Sequence, residues 1–251
     1  MQREVLSLVQ DGFADFRRQV GRTRLGLLSV ASHVCAGPRL IEQVLSGRRP
    51  ASIVDHLQLP WLPIWPGLTA KPLHNHQSHP WTALLREASV DIRRELAAVR
   101  QSFHVARYES ASRAKPWTVY YFYLEGRPIA EHLAACPRTA EVLRQIPHNG
   151  FHVCFSAIEP GGSLKPHTGP TNASLTAHLG LENCAGTRLW IADDSADYRD
   201  GEVLVFDDSF VHRVEHSGVH TRYTLMITFW HPELNTLERA LLSRIVRMAP
   251  S

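Results

Sequence analysis

The sequence predicts a mainly β protein with flanking helices, its core a barrel or jelly roll spread over residues 151–230. Two observations lead there. Runs at 151–158, 173–181, 187–192, 202–206, 211–216 and 221–230 are short, apolar and β-branched enough to read as strands. Tight-turn sequences punctuate them: Pro160-Gly161-Gly162, Asn183 to Gly186, Asp200-Gly201 and Ser217-Gly218. Strands so closely spaced leave no room for the helical crossovers of a parallel α/β sheet.

The flanks follow in order. Val5, Leu8, Val9, Phe13 and Phe16 fall at helical spacing in residues 4–20, and residues 25–47 read as two short helices broken at Gly37-Pro38. We therefore divide the chain into a helical extension, 1–55, and a core domain, 56–251. Pro60, Trp61, Pro63, Trp65, Pro66, Gly67 and Pro72 make an extended segment leading into the core. An amphipathic helix is expected over 81–99, on Leu84, Leu85, Ile92, Leu96 and Val99. The aromatic run Trp117–Leu124 predicts a strand. Residues 129–146 read as helix interrupted at Cys136-Pro137, and 232–248 as a closing helix.

Composition narrows the function classes. With 251 residues, 44% hydrophobic and 20% charged, the chain has ample material for one core. Its net charge of +3 comes from scattered pairs such as Arg17-Arg18, Arg48-Arg49 and Arg93-Arg94. That scatter argues against a nucleic-acid groove. Cys35, Cys136, Cys154 and Cys184 form no C-x-x-C pair, so free thiols in a reducing compartment are expected. No apolar run approaches the roughly 20 residues of a membrane span, and the amino terminus has no apolar leader pattern. The expectation is a soluble cytoplasmic protein without a membrane or nucleic-acid partner; none of these features speaks to its oligomeric state.

Two stretches carry chemistry. Lys165-Pro166-His167-Thr168-Gly169-Pro170-Thr171-Asn172 and Asp207-Asp208-Ser209-Phe210-Val211-His212 each present one histidine at a turn. Two imidazoles brought together would hold a divalent metal, and imidazole suits iron, copper, zinc and nickel alike. The usual non-haem iron triad would place a carboxylate two residues after the first histidine, where this chain has Gly169. Asp207 and Asp208 are alternative carboxylates, although an aspartate bonding its own turn is the simpler account. Two accounts also stand for Arg222. Inside a barrel it requires an anion, such as a dicarboxylic co-substrate gripped through a bidentate fork; otherwise it pairs with Glu202 or Glu215. His178 faces inward or outward according to register, and alone reads as a core histidine. His74, His76 and His79 invite a metal reading but have no carboxylate or thiol beside them, so a surface loop is the simpler account.

Taken together these residues resemble a known family. The strings Phe155-Ser156-Ala157-Ile158, Pro166-His167-Thr168-Gly169-Pro170-Thr171-Asn172 and His178-Leu179-Gly180-Leu181 are similar to those of the aspartyl/asparaginyl β-hydroxylases. So are Gly201 through Phe210, then His212, Arg222 and Trp230-His231-Pro232-Glu233-Leu234. The resemblance runs from Pro66-Gly67-Leu68 to Leu234, is dense from Ser156 onward, and leaves the first 55 or so residues outside.

The resemblance implies a double-stranded β-helix of the jelly-roll, cupin-like kind, working as an iron(II)- and 2-oxoglutarate-dependent dioxygenase that consumes O2. It implies His167 and His212 as the iron ligands, without a third carboxylate ligand. Arg222 and Ser156 would bind the distal carboxylate of 2-oxoglutarate, and His178 would lie near the carboxylate that chelates iron. The expected substrate is an aspartyl or asparaginyl group, or a related β-carbon, in a peptide, carrier-tethered residue or small molecule. Trp61, Trp65 and Trp117 are candidates for the substrate side, with core packing as the plainer account.

The chain also departs from the family pattern. Thr176 stands where animal members carry an arginine, a second arginine is replaced near Trp190, and Arg188 is a possible substitute of undetermined facing. The expectation is a chain without the helical-repeat domain and membrane anchor of the animal proteins, and of these the missing hydrophobic anchor weighs against a further rival, a lipid A-type hydroxylase. The alternatives are a related iron enzyme that halogenates or desaturates, since a missing carboxylate leaves room for chloride, and a non-catalytic metal- or ligand-binding β-barrel.

Overall fold

The structure is a computed structural model that describes residues 57–60, 64–65, 67–106 and 112–247. The helices expected in residues 4–20 and 25–47, together with Cys35 and Trp61, lie outside the described residues.

Among the described residues thirteen strands form two antiparallel sheets: β1 Leu73–His74, β2 His104–Val105, β3 Ser112–Arg113, β4 Thr118–Leu124, β5 Arg127–Pro128, β6 His148–Ile158, β7 Ser163–His167, β8 Ser174–Glu182, β9 Thr187–Ile191, β10 Asp194–Asp197, β11 Val203–Phe206, β12 His212–His216 and β13 Arg222–Trp230. The major sheet runs β1-β11-β8-β13-β6-β4-β2, with β5 added beside β4. The minor sheet runs β10-β9-β12-β7-β3. Four α-helices of the described residues flank them: α1 Thr82–Val99, α2 Ala130–Ala135, α3 Pro137–Gln145 and α4 Thr236–Val246. This is the expected mainly β architecture, two layers of a jelly roll with helices on the outside.

The major sheet is buried on both faces, and its sequence says so. In β8 every residue from Ser174 to Leu181 is buried. Leu175, Ala177 and Leu179 join the helix-side core with Leu85, Ile92 and Leu96 of α1 and Leu143 of α3. The alternate positions, Thr176 and His178, face the space between the sheets, as period-two alternation requires. That inner space is lined by Val119, Tyr121, Cys154, Ile158, Leu189, Ile191, Phe206 and Val214. Glu95 of α1 anchors the start of α3, its carboxylate accepting from the backbone N–H groups of Arg138 and Thr139 at 2.7 and 2.8 Å.

The closing helix starts later than the Pro232-Glu233 signal suggests. Asn235 and Glu238 form a capping box at its true start, each side chain bonded to the other's backbone N–H. Trp65 packs beneath it with Leu234, Leu242 and Ile245, and its backbone exchanges hydrogen bonds with the Asn172 side chain.

Six strands were not evident from the sequence: the two-residue β1, β2, β3 and β5, and the longer β7 and β10. β7 contains Pro166, which argues against a strand interior. It is accommodated because the β7–β12 register shifts between His212 and Val214, a bulge that excuses the missing N–H. β10 is polar and largely exposed, an edge strand paired only with β9.

Candidate metal and acid-binding site

The two histidines meet because their strands do. His167 ends β7, His212 begins β12, and the register makes them direct cross-strand partners. Their ring centroids lie 4.1 Å apart, with the planes at 50°. His167 Nδ1 is 2.7 Å from the Lys165 carbonyl, and His212 Nδ1 is 2.9 Å from that of Phe210. A carbonyl only accepts, so each Nδ1 donates and each Nε2 keeps its lone pair. Burial pushes the pKa of both rings down, and His167 beside it lowers His212 further. Both are therefore neutral, the form that binds a metal.

Gly169 explains itself through Asp208. A Cβ built there would stand 2.4 Å from the Asp208 carboxyl carbon, so only glycine permits the approach. Asp208 thus brings a carboxyl group beside Gly169, two residues from His167. Its Oδ2 accepts from Thr176 Oγ1 at 3.1 Å, and its buried Oδ1 has no partner. Burial raises its pKa to about 7. Asp207 follows the simpler account and bonds its own turn, accepting from Ser209 N at 3.0 Å and Ser209 Oγ at 2.6 Å. Among the described residues no group of three His, Cys, Asp or Glu side chains is arranged to hold a metal. The donor set is a pair of imidazoles.

The facing major sheet presents the opposite chemistry. Arg222, at the start of β13, is 1% exposed. Its Nη1 donates to Thr224 Oγ1 at 2.9 Å and weakly to Ser156 Oγ at 3.5 Å, while Nε is buried without a partner. The guanidinium lies 5.0 Å from the ring centroid of Tyr198. Burial lowers its pKa. The salt-bridge account fails: Glu202 pairs with Arg86 and Glu215 with Arg213, all at the surface. Among the described residues no carboxylate forms an ion pair with Arg222.

His178 faces inward. Its Nδ1 is 2.9 Å from Tyr198 Oη, and its Nε2 is buried and unpartnered. Burial, and then the charge of Arg222, push it down to about 3. Its ring meets Phe206 edge-on at 5.1 Å, and Phe206 meets His212 at 5.6 Å. The register sets the depth: Met226 pairs with His178 and Cys154, Thr224 with Ser156, and Arg222 with Ile158. All five predicted residues, His167, His212, His178, Ser156 and Arg222, therefore face one interior.

Tyr198, which touches both His178 and Arg222, was not singled out in the sequence. Its one signal was an aromatic residue in an otherwise polar edge strand region. Trp117 turns away from the proposed substrate side: its indole N–H donates to Ser156 Oγ at 2.9 Å, at the Arg222 end. Trp65 is core, as the plainer account held. Arg188 is exposed and paired with Asp197, and it flanks Trp190 together with Arg213 on the outer face, so it replaces no interior cation. His74, in β1 of the major sheet, and the buried His79 pack near each other at 6.2 Å, and His74 near His231 at 6.1 Å, so these two rings are not carried on a surface loop. Cys136, Cys154 and Cys184 are free, as expected, and all three are buried.

Comparison with known proteins gives the same direction. The sequence model described as aspartyl/asparaginyl beta-hydroxylase matches residues 86–232. Human aspartate beta-hydroxylase domain-containing protein 2 is 33% identical over 137 residues, covering 51% of this chain and 37% of that protein. Human aspartyl/asparaginyl beta-hydroxylase is 29% identical over 193 residues, covering 71% of this chain and 25% of its own length. The chain thus spans well under half of these curated relatives. Among solved structures, a prolyl hydroxylase from Trichoplax adhaerens in complex with a peptide fragment aligns over 62% of this chain and 81% of that one, at 15% identity and TM-score 0.40. No helix among the described residues is long and apolar enough to cross a membrane. With the family's sequence model covering more than half of its residues, the chain belongs to the aspartyl/asparaginyl β-hydroxylase family.

Proposed function

We propose that this chain is an iron(II)- and 2-oxoglutarate-dependent dioxygenase that hydroxylates the β-carbon of an aspartyl or asparaginyl group, or a related group, in a peptide, carrier-tethered residue or small molecule. One observation carries the reading. Two neutral imidazoles offer Nε2 lone pairs in the same interior where a buried guanidinium lacks an anion. A divalent metal and a dianionic acid together satisfy both, and neither alone does.

His167 and His212 would hold the iron, their Nδ1–H bonds to backbone carbonyls fixing tautomer and ring angle. Iron(II) chelated by 2-oxoglutarate supplies the activation of O2 that delivers hydroxyl to carbon. The protein's own residues bind and orient. Arg222 and Ser156 take the distal carboxylate, and burial makes that charge-assisted contact stronger than it would be in water. Tyr198, held protonated with its pKa raised to about 12, donates to His178 Nδ1. His178 Nε2–H then points its proton at the carboxylate nearer the metal. Thr176 steadies Asp208 beside Gly169, where a triad carboxylate would otherwise begin. The near-complete burial of His178, Arg222 and Ser156 keeps water from the acid.

The test is succinate release from 2-oxoglutarate, with iron and ascorbate, across aspartyl and asparaginyl peptides and free acids, with product mass read with and without chloride. A product heavier by one oxygen in both conditions supports the reading. Absence of even uncoupled 2-oxoglutarate turnover in metal-loaded protein would leave a non-catalytic binding barrel.

A further inference from the structure

We infer that Trp117 is a positioning residue for the acid: its indole N–H fixes the Ser156 hydroxyl so that the serine proton is presented to the distal carboxylate. The inference rests on the assignment of Arg222 and Ser156 to that carboxylate, and it follows from counting hydrogen bonds. A serine hydroxyl has one proton and two acceptor positions. Trp117 Nε1 donates to Ser156 Oγ at 2.9 Å, and Arg222 Nη1 approaches the same oxygen at 3.5 Å. Indole and guanidinium are donors only, so both contacts occupy lone pairs. The serine proton is left without an acceptor in a side chain only 3% exposed. A buried donor with nothing to donate to is costly, and a carboxylate oxygen beside Arg222 is the partner that relieves it.

The strand register explains why Trp117 can do this. Val119 is the cross-strand partner of Ser156, and Thr118 that of Ala157. Trp117 stands two residues before Val119 on the same inward face, next to Ile158, which in turn pairs with Arg222. The indole therefore reaches Ser156 from the Arg222 end of the interior, away from the imidazole pair. It also packs in the inner core, so its ring and its N–H must be separated experimentally.

Calorimetric titration of the metal-free protein with 2-oxoglutarate, and with glutarate, which lacks the metal-chelating keto group, makes that separation. Trp117→Phe keeps a ring and removes the N–H. Its Kd for both acids should rise by about five- to tenfold, a loss matching one hydrogen bond between neutral groups. In the Ser156→Ala background the same substitution should change nothing further, and Trp117→His, which retains a ring N–H, should recover part of the loss. In the loaded enzyme the change should fall on the KM for 2-oxoglutarate and leave kcat in place. Equal Kd in wild type and Trp117→Phe, or full additivity with Ser156→Ala, would overturn the inference while leaving the function standing. Should wild type bind neither acid, both fall. If Trp117→Phe does not fold, wild type labelled with 5-fluorotryptophan decides. One 19F resonance should move on adding glutarate to wild type and stay still in Ser156→Ala; identical spectra in the two would overturn the inference.

Discussion

The two sheets that face each other across the interior are built for opposite charges. On the minor sheet, backbone carbonyls use up the Nδ1 protons of His167 and His212, so what remains is two lone pairs. On the major sheet, Arg222 Nε and His178 Nε2 are buried without partners, and Ser156 Oγ already accepts from Trp117. One wall is complementary to a cation and the other to an anion. The difference teaches how one interior serves both signs of charge: on the major sheet His178 Nε2 and Arg222 Nε are buried without partners, while on the minor sheet the two imidazoles keep their Nδ1 atoms on backbone carbonyls and turn Nε2 away from them.

That contrast can be broken from either side. The largest effect is expected at the cationic-ligand wall: His212→Ala or His167→Ala should abolish stoichiometric iron binding, measured by metal analysis after desalting, while the fold survives by circular dichroism. Next comes Arg222→Met, which keeps length and removes charge. Acid affinity should fall by about 2–5 kcal/mol in calorimetry. The ligand-free chain should gain about 1–4 kcal/mol in urea denaturation, because an unpaired buried cation has been removed. A loss of stability in that variant would mean that the guanidinium has a partner within the protein. Gly169→Ala forces a methyl group against the Asp208 carboxyl and should cost about 1–3 kcal/mol of stability.

The smallest effect separates these walls from histidines that only fill space. Burial holds His74 and His148 down at about 4, against an ordinary value of 6.5. Both are neutral in the folded chain at neutral pH. As pH falls below 6.5 the unfolded state gains protons that the folded state refuses. Their contribution is thus full above pH 6.5 and is lost as pH falls through about 4. His74→Phe should flatten the denaturation midpoint against pH across that window and leave acid binding near neutrality unchanged.

Much of the fold was legible because two-residue alternation and turn chemistry are local signals. The strands that became β6, β8, β9 and β11–β13 could be read that way, as could the break between α2 and α3 at Cys136-Pro137. β7 was hidden by Pro166, whose place depends on a bulge that adds one residue to β7 opposite His212–Val214 of β12. The five candidate site residues were proposed through a resemblance; spacing alone left the metal open, Arg222 between two partners, and His178 between two faces. What stayed out of reach was pairwise and long-range. The fit of Gly169 against Asp208, the bridge from Tyr198 to His178 and Arg222, and the bond from Trp117 to Ser156 each join residues that the β topology brings together. No window of sequence contains both partners.

The most direct test of the two-wall account is an anaerobic titration of iron(II)-loaded protein with 2-oxoglutarate, followed by the visible charge-transfer absorption of a 2-oxo acid chelated to iron(II). The account predicts a saturable band in wild type, no band in His212→Ala, and in Arg222→Met the same band reached only at much higher acid concentration. A band of undiminished strength in His212→Ala, or saturation at the same concentration in Arg222→Met, would contradict it.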